Sequence, residues 1–565
     1  MKIVIAALNS QYIHSSLAPW CLLAGLQAYV DMPLEVYVVE GTVNEPIEKV
    51  AERVNARQPD VLGICCYIWN IEASVRLAAQ VKTALPGCLV VLGGPEVGPR
   101  PDSALSMYAD ADYVISGEGE YPFAMLIKSL MTGSHIGEVP GLSRRDNGNI
   151  ITSPPYVHDA LPPSPYSPAY FKALNGRIAY LETSRGCPFS CAFCLSGGDP
   201  TVRYTPLDRV YQELLQLAAS GATTIKLVDR TFNAHKSRSK SILRFLLEAE
   251  ASGQLGQVCF HFEIAGDLLD DETMALVEQA PPGLFQFEIG LQSFNEQTLA
   301  AVNRKSDTGL IERHVRRLIA SSRVHVHLDL IAGLPHEGLA SFRHSFDRAF
   351  SLKPHALQLG FLKLIHGSAM RENRAAYPLC FQAEPPYTVL ETPWLSRTDF
   401  QTLYDAERGL DRLYNSRRFL GTLDHIINAY NQSAFDVFQA AGQAIRSEEA
   451  NNAMSLDQLT ECFFRRLSDQ YPQHMPVIRD LMLLDRMTST PTTVLPACLK
   501  RKDARFFAVK RALKQKDPPT EGVVRAISFL YAGDMDRVVY VDYHKKNPVT
   551  GLYPLKQASL PDLGL

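Results

Sequence analysis

Three cysteines sit close together in the stretch LETSRGCPFSCAFC: Cys187, Cys191 and Cys194, spaced C-x3-C-x2-C. Thiolates at this spacing, just after an extended run, can wrap one soft metal centre. A fourth ligand would close the site, as in structural zinc. Three alone leave one iron of a 4Fe-4S cluster open to an outside ligand, and an open iron implies chemistry. Zinc completed by a distant fourth ligand is the alternative. A second metal question comes from the loop LNSQYIHSSLAP, where His14 stands among hydroxyls and amides. A lone loop histidine is more often structural than functional.

The elements that must position these residues form two alternating series. From 1 to about 140, strand-like runs (KIVIAAL, LEVYVVE, VLGICCYIW, CLVVLGG, DYVISGE) alternate with helical spacing, which predicts a parallel sheet covered on both faces. The loops at the strand carboxyl ends carry the unusual residues: Asn9 to Ser16, Tyr67 to Asn70, Gly93-Gly94-Pro95-Glu96 and Gly117-Glu118-Gly119-Glu120. Open sheets bind ligands at that edge. A proline-rich stretch, 139–176, reads as a linker. A second series of six strand-like runs, from RIAYLETS to ALQLGFLKL, predicts a partial barrel over 177–375. Six units are too few for a closed eightfold barrel. Residues 376–565 read as mostly helical, with a hairpin-like end at RVVYVDYHKKNPVTGLYPL.

The chain has 565 residues, a net charge of -4 and 21% charged residues. That balance suggests no obligate nucleic-acid or membrane partner. The first apolar run stops at Asn9, too short for a signal peptide, and no run approaches the ~18 apolar residues of a membrane span. Eleven cysteines, mostly scattered, form a reduced pattern and imply a cytoplasmic protein. The basic segment Leu499–Asp517 predicts a solvated helix with an apolar stripe; a nucleic-acid surface is its rival reading.

The cysteine triplet, with Phe193 before its last member, resembles the radical S-adenosylmethionine (radical SAM) superfamily over roughly 177 to 370. The resemblance implies that Cys187, Cys191 and Cys194 hold a 4Fe-4S cluster and that S-adenosylmethionine binds its open iron. It further implies S-adenosylmethionine contacts at Phe193 in the motif, at Asp229 near the methionyl amine, and at Glu263, Gln292, Ser293, Asp329 and Lys363, which resemble positions of its coproporphyrinogen-oxidase-like branch. The reading of Lys363 as a solvated lysine stands beside this one. Cys259, in VCFHF, is read as a buried strand residue.

The first series is similar to the cobalamin-binding domain, with glycines at the fourth strand. Implied cobalamin contacts are Asn9, Ser10, Gln11, Tyr12, His14, Tyr67, Trp69, Gly93, Gly94, Pro95, Glu96, Gly117, Glu118 and Glu120. The cobalt-ligating DxHxxG pattern fails: Tyr12 stands where its aspartate belongs and Leu17 where its glycine belongs. Without the aspartate to orient the imidazole, His14 is expected at the rim of a corrin rather than on cobalt.

Together these readings give an α/β chain: a Rossmann-like cobalamin-binding domain (1–138), a linker (139–176), a (βα)6 partial barrel of radical SAM type (177–375) and a mostly α-helical carboxyl-terminal domain (376–565). The resemblance implies a cobalamin-dependent methyltransferase acting on an unactivated carbon through a 5'-deoxyadenosyl radical. The alternatives are a non-methylating cyclase, rearrangement or redox enzyme with the same cofactors, and a non-catalytic corrinoid sensor. A methylthiolase-like enzyme is disfavoured because no second cysteine triad is present. The implied partners are a small-molecule or peptide substrate and an external one-electron reductant such as flavodoxin or ferredoxin; no individual catalytic residue can be named.

Overall fold

The computed structural model describes residues 1–159, 161–197, 200–449, 454–532 and 537–565. Its first sheet has seven strands: β1 (Lys2–Asn9), β2 (Glu35–Thr42), β3 (Val61–Cys65), β4 (Leu89–Gly93), β5 (Tyr113–Ile115), β6 (Leu142–Asp146) and β7 (Asn149–Ile151). Their order is β2-β1-β3-β4-β5-β6-β7, parallel from β2 to β5. Helices cover both faces, so β1 is buried from Ile3 to Asn9. That is why the strands read as continuous apolar runs.

The expected linker is corrected here. Its beginning is the antiparallel hairpin β6–β7, which extends the first sheet. Asn147 and Gly148 turn the chain with φ of 49° and 83°. Both central residues lie in the left-handed region, as the tightest hairpin turns require. The Asn-Gly pair inside RRDNGNII was the available signal.

The second sheet contains β8 (Ala179–Leu181), β11 (Thr224–Leu227), β12 (Cys259–Ile264), β13 (Phe285–Gln292), β14 (His325–Ala332) and β15 (Ala356–Phe361), parallel and in sequential order. Between the first two, β9 (Ser184–Arg185) pairs with β10 (Arg203–Tyr204). Burial alternates along β13 and β14. Phe285, Phe287, Leu328 and Leu330 are buried in the barrel's hydrophobic core. The alternate positions are polar: Tyr180, Lys226, His261, Glu263, Glu288, His327, Asp329 and Gln358. Closed βα barrels fill this interior with branched apolar side chains; here it stays polar and partly open to solvent.

The carboxyl-terminal part closes the barrel's last edge. A π-helical turn, Leu410–Asn415, places Asn415 so that its amide accepts from Leu357 N (3.0 Å) and donates to Leu357 O (2.8 Å). One side chain thereby satisfies edge groups that a seventh strand would otherwise pair. Tyr404 stacks on Phe361 with centroids 4.0 Å apart. The helices Arg397–Gly409 and Ala434–Glu449 cross with backbones touching, since a Cβ on Gly442 would lie 1.7 Å from Asp405 O.

Two short strands, β16 (Cys380–Phe381) and β17 (Val389–Glu391), lead into this helical region. The expected terminal hairpin is two strands of a three-stranded antiparallel sheet: β18 (Arg525–Phe529), β19 (Arg537–Asp542) and β20 (Leu555–Ser559). The basic helix Phe506–Lys516 packs on it through Val509 and Leu513. Among the described residues no helix is long and apolar enough to cross a membrane.

Candidate functional site

The cysteine loop leaves β8 through a clamp. Asp229, just past β11, accepts from Thr183 N (2.7 Å), Ser184 N (3.0 Å) and the Thr183 hydroxyl. Burial raises its carboxyl to about 6, although these donors pull the other way. Asp229 was expected to touch S-adenosylmethionine; its oxygens instead hold the root of the cysteine loop. Beyond the clamp, Cys187 and Cys191 are buried and Cys194 is half-buried. Phe193 packs half-buried against the barrel core. Ala192 N donates to Val302 O (2.9 Å), and Met370 N to Ala192 O (2.9 Å).

Arg304 reaches this loop: Nη1 lies 3.7 Å from Cys191 Sγ, Nη2 donates to Gly290 O, and Nε is buried without a partner. Burial raises the Cys191 thiol, and Arg304 opposes that by favouring the thiolate. The sequence reading missed Arg304. The available signal was an arginine shortly after the GLQSF strand end. Among the described residues no three His, Cys, Asp or Glu side chains converge on a single-ion point.

The strand ends beside the loop hold unsatisfied groups. At a bulge between Gly290 and Gln292, the chain takes φ 72° at Gln292, whose Oε1 is buried without a partner. Non-glycine residues held in this region mark sites where the surroundings impose strain. Asp329 Oδ1 lies 3.2 Å from His327 Nε2 but out of hydrogen-bonding geometry. Burial, then the charges of Glu288 and Glu263, push Asp329 well above the usual carboxylate range.

Lys226 lies 3.3 Å from Glu263 and 3.2 Å from Glu288, and His261 lies 2.9 Å from Glu288. Burial opposes ionisation of Glu288, but His261 and Lys226 prevail and draw it down to about 2. Ser293, expected as a ligand contact, is fully buried and donates to Glu337 Oε1 (2.6 Å). It braces the bulge from behind. Lys363, just past β15, is exposed.

The loops of the first sheet meet the barrel. Asn9 donates to Glu40 (2.8 Å), which is also ion-paired with Arg177 (2.7 Å). Ile178 N donates to Ile13 O (2.9 Å), Ser15 Oγ donates to Ile178 O (2.7 Å), and His14 Nδ1 lies 2.6 Å from the Tyr180 hydroxyl. The loop thus docks beside β8, and His14 is part of the dock. Burial, then the Lys226 charge, lowers its pKa.

Three carboxylates expected at the corrin are engaged elsewhere, because they face neighbouring segments across the domain boundary. Glu96 pairs with Arg100 (2.6 Å) and accepts from Tyr387 Oη (2.6 Å). Glu118 pairs with Arg203 and Arg185, and Glu120 with Arg185 (2.9 Å), two residues before Cys187. Ser10, Gln11, Tyr12, Pro95 and Gly117 remain exposed. Trp69 stacks on Tyr67 (4.4 Å, 9°) and is 51% exposed. A Cβ on Gly93 would meet only Ile115, at 3.9 Å, whereas one on Gly94 would lie 2.5 Å from Cys66 O.

Two family models match the regions that meet here: the B12 binding domain over residues 3–127 and the Radical SAM superfamily over 181–349. The chain carries a B12-binding domain followed by a radical SAM domain. A third model, a protein of unknown function (DUF4080), matches 375–547.

Curated relatives include the cobalamin-dependent radical SAM methyltransferase TokK of Streptomyces tokunonensis, 30% identical over 53% of this chain and 45% of its own. Another is the 2-(S-pantetheinyl)-carbapenam-3-carboxylate methyltransferase of Streptantibioticus cattleyicolor, 29% identical over 55% and 47%. The chain spans about half the length of these relatives. Among solved structures, the cobalamin-dependent S-adenosylmethionine radical enzyme OxsB superposes with a TM-score of 0.59 over 85% of this chain and 78% of its own, at 14% identity. TsrM from Kitasatospora setae gives 0.56 over 66% and 76%, at 17% identity. These likenesses show the fold of the B12-binding and radical SAM domains together.

Proposed function

We propose that this chain is a cobalamin-dependent radical SAM methyltransferase acting on an unactivated carbon, in a cytoplasmic setting. The carrying observation is the three-thiol loop at the end of β8, ion-paired through Arg185 to the strand-end loop of the B12-binding domain.

The residues present fit the implied groups. Cys187, Cys191 and Cys194 would hold a 4Fe-4S cluster. Arg304 Nε, Gln292 Oε1 and Asp329 Oδ1 are buried polar atoms without hydrogen-bond partners, suited to the charged and hydroxyl groups of S-adenosylmethionine. Trp69 and the exposed polar loop 10–12 offer a flat surface and donors for a corrin. When bound, these groups supply the radical and the methyl carrier. The chain's own residues bind and orient them: Asp229 holds the root of the cysteine loop, Ser293 and Glu337 brace the Gln292 bulge, and the His14 loop docks the two domains.

A non-methylating radical reaction on the same cofactors is the second reading. It is favoured by a relative that is 24% identical, the anaerobic magnesium-protoporphyrin IX monomethyl ester cyclase of Cereibacter sphaeroides. The test is anaerobic reconstitution with iron, sulfide and cobalamin, followed by reduction with S-adenosylmethionine labelled in its methyl group. Iron, bound corrinoid and 5'-deoxyadenosine support the reading, and label in the product selects methyl transfer. A preparation that holds a cluster but no corrinoid would remove the cobalamin half.

A further inference from the structure

On the radical SAM reading, an electron must reach the cysteine loop from outside the chain, and one side of that loop is at the surface. Pro188 and Ser190 are exposed. Asn303, also exposed, donates to Ser190 O (3.1 Å). On one flank Lys305, exposed, follows the Arg304 that touches Cys191. On the other, the turn 369–374 is tied to the loop by the Met370–Ala192 bond and carries Arg371 and Arg374. Both guanidiniums lie over the Phe381 ring, at 4.6 and 5.1 Å.

Among the described residues, Lys305 and Arg374 are exposed and have no carboxylate ion-pair partner, whereas Arg371 is half-buried and its guanidinium is held by Leu364 O (3.0 Å) and His366 Nε2 (3.2 Å). The carboxylates in these two segments are Glu372, which accepts from Gly367 N (3.2 Å), and Asp307, which caps the helix Thr308–Ser321. With Arg304 included, cations outnumber carboxylates here in a chain whose net charge is -4.

We propose that this face docks an acidic one-electron donor protein of the flavodoxin type. The inference rests on the radical SAM reading. One electron leaves the donor's anionic flavin hydroquinone, which becomes the neutral semiquinone, and enters the oxidised 4Fe-4S cluster. No bond forms or breaks and no proton moves. Redox encounters use small, transient interfaces, under about 1,200 Å² in total. Exposed cations without carboxylate partners beside the acceptor, Lys305 and Arg374, can therefore steer an acidic partner, raising the on-rate by tenfold or more at low salt.

The experiment compares the wild-type protein with K305E/R374E, both reconstituted, using reduced flavodoxin and dithionite as separate reductants. Cluster bleaching is followed by stopped flow, and binding of oxidised flavodoxin to the cluster-free chain is measured in parallel. The double reversal is expected to slow flavodoxin-driven reduction and to weaken flavodoxin binding by about tenfold or more at low salt. Dithionite-driven reduction should stay at the wild-type rate, and the flavodoxin difference should shrink as salt is raised. The milder K305A/R374A should fall between. Flavodoxin rates and binding that match wild type in both variants overturn the docking face. Failure of dithionite to reduce any cluster in the wild-type protein instead overturns the radical SAM reading beneath it.

Discussion

Glu337 offers a sharp test of the electrostatics behind the site. It is 0% exposed; its Oε1 accepts from Ser293 (2.6 Å) and Ser345 (3.1 Å), and its Oε2 is buried with no partner. Burial outweighs the hydroxyl donors and raises its carboxyl from 4.5 to about 7. The native state therefore binds this proton more tightly than the unfolded chain does. The stabilisation is fully present below the unfolded pKa of 4.5 and is lost as pH rises through 7.

At about 1.36 kcal/mol per pKa unit the full effect is about 3 kcal/mol, of which about 2.5 kcal/mol falls between pH 5 and 8. Glu337→Gln keeps an oxygen for the two serines and removes the titration. In guanidinium unfolding at pH 5, 6, 7 and 8, the stability of E337Q minus that of wild type should shift in favour of the variant by roughly that amount. Asp229 and Asp485, both raised to about 6, shift both proteins alike and cancel in the difference. A difference that stays flat across this range would refute the assignment of a neutral buried carboxyl behind the Gln292 bulge.

Other consequences can be checked directly. Asp229→Ala frees the amides of Thr183 and Ser184, a loss of about 2 to 3 kcal/mol in loop order, and iron retained after desalting should drop; undiminished iron would contradict the clamp. His14→Ala removes one hydrogen bond of the domain dock, about 1 kcal/mol. Proteolysis within 139–176 should quicken, while bound corrinoid is largely kept and the wild-type cobalt shows no imidazole signature; such a signature would restore His14 as a ligand. Gly94→Ala sets a Cβ 2.5 Å from Cys66 O at φ 113° and should lower stability by about 2 kcal/mol or more, read as a fall in the thermal midpoint of the cofactor-free chain.

Much of the architecture was legible because periodicity records burial. Continuous apolar runs marked strands covered on both faces, and six strand-like runs separated by helical spacing marked the partial barrel. The cysteine spacing marked a soft-metal loop, and its resemblance to the radical SAM superfamily implied the cluster. The hairpin β6–β7 was lost to the weight of the prolines that follow it, although its Asn-Gly turn was in plain view. Arg304 was missed because an arginine after a short helix looks like solvated surface until the fold returns it to Cys191.

The sequence by itself determined the parts: two strand–helix series, the thiol loop and the failure of the cobalt-ligating pattern around His14. Only the tertiary structure decided which polar residues remain available to a ligand. Glu96, Glu118, Glu120, Asp229 and Ser293 all stand at strand ends, where ligand contacts are expected, yet each is engaged by a partner between 4 and 291 residues away. Gln292, Asp329 and Arg304 keep buried polar atoms without partners. A carboxylate's role depends on what faces it across the fold, and sequence spacing does not encode that.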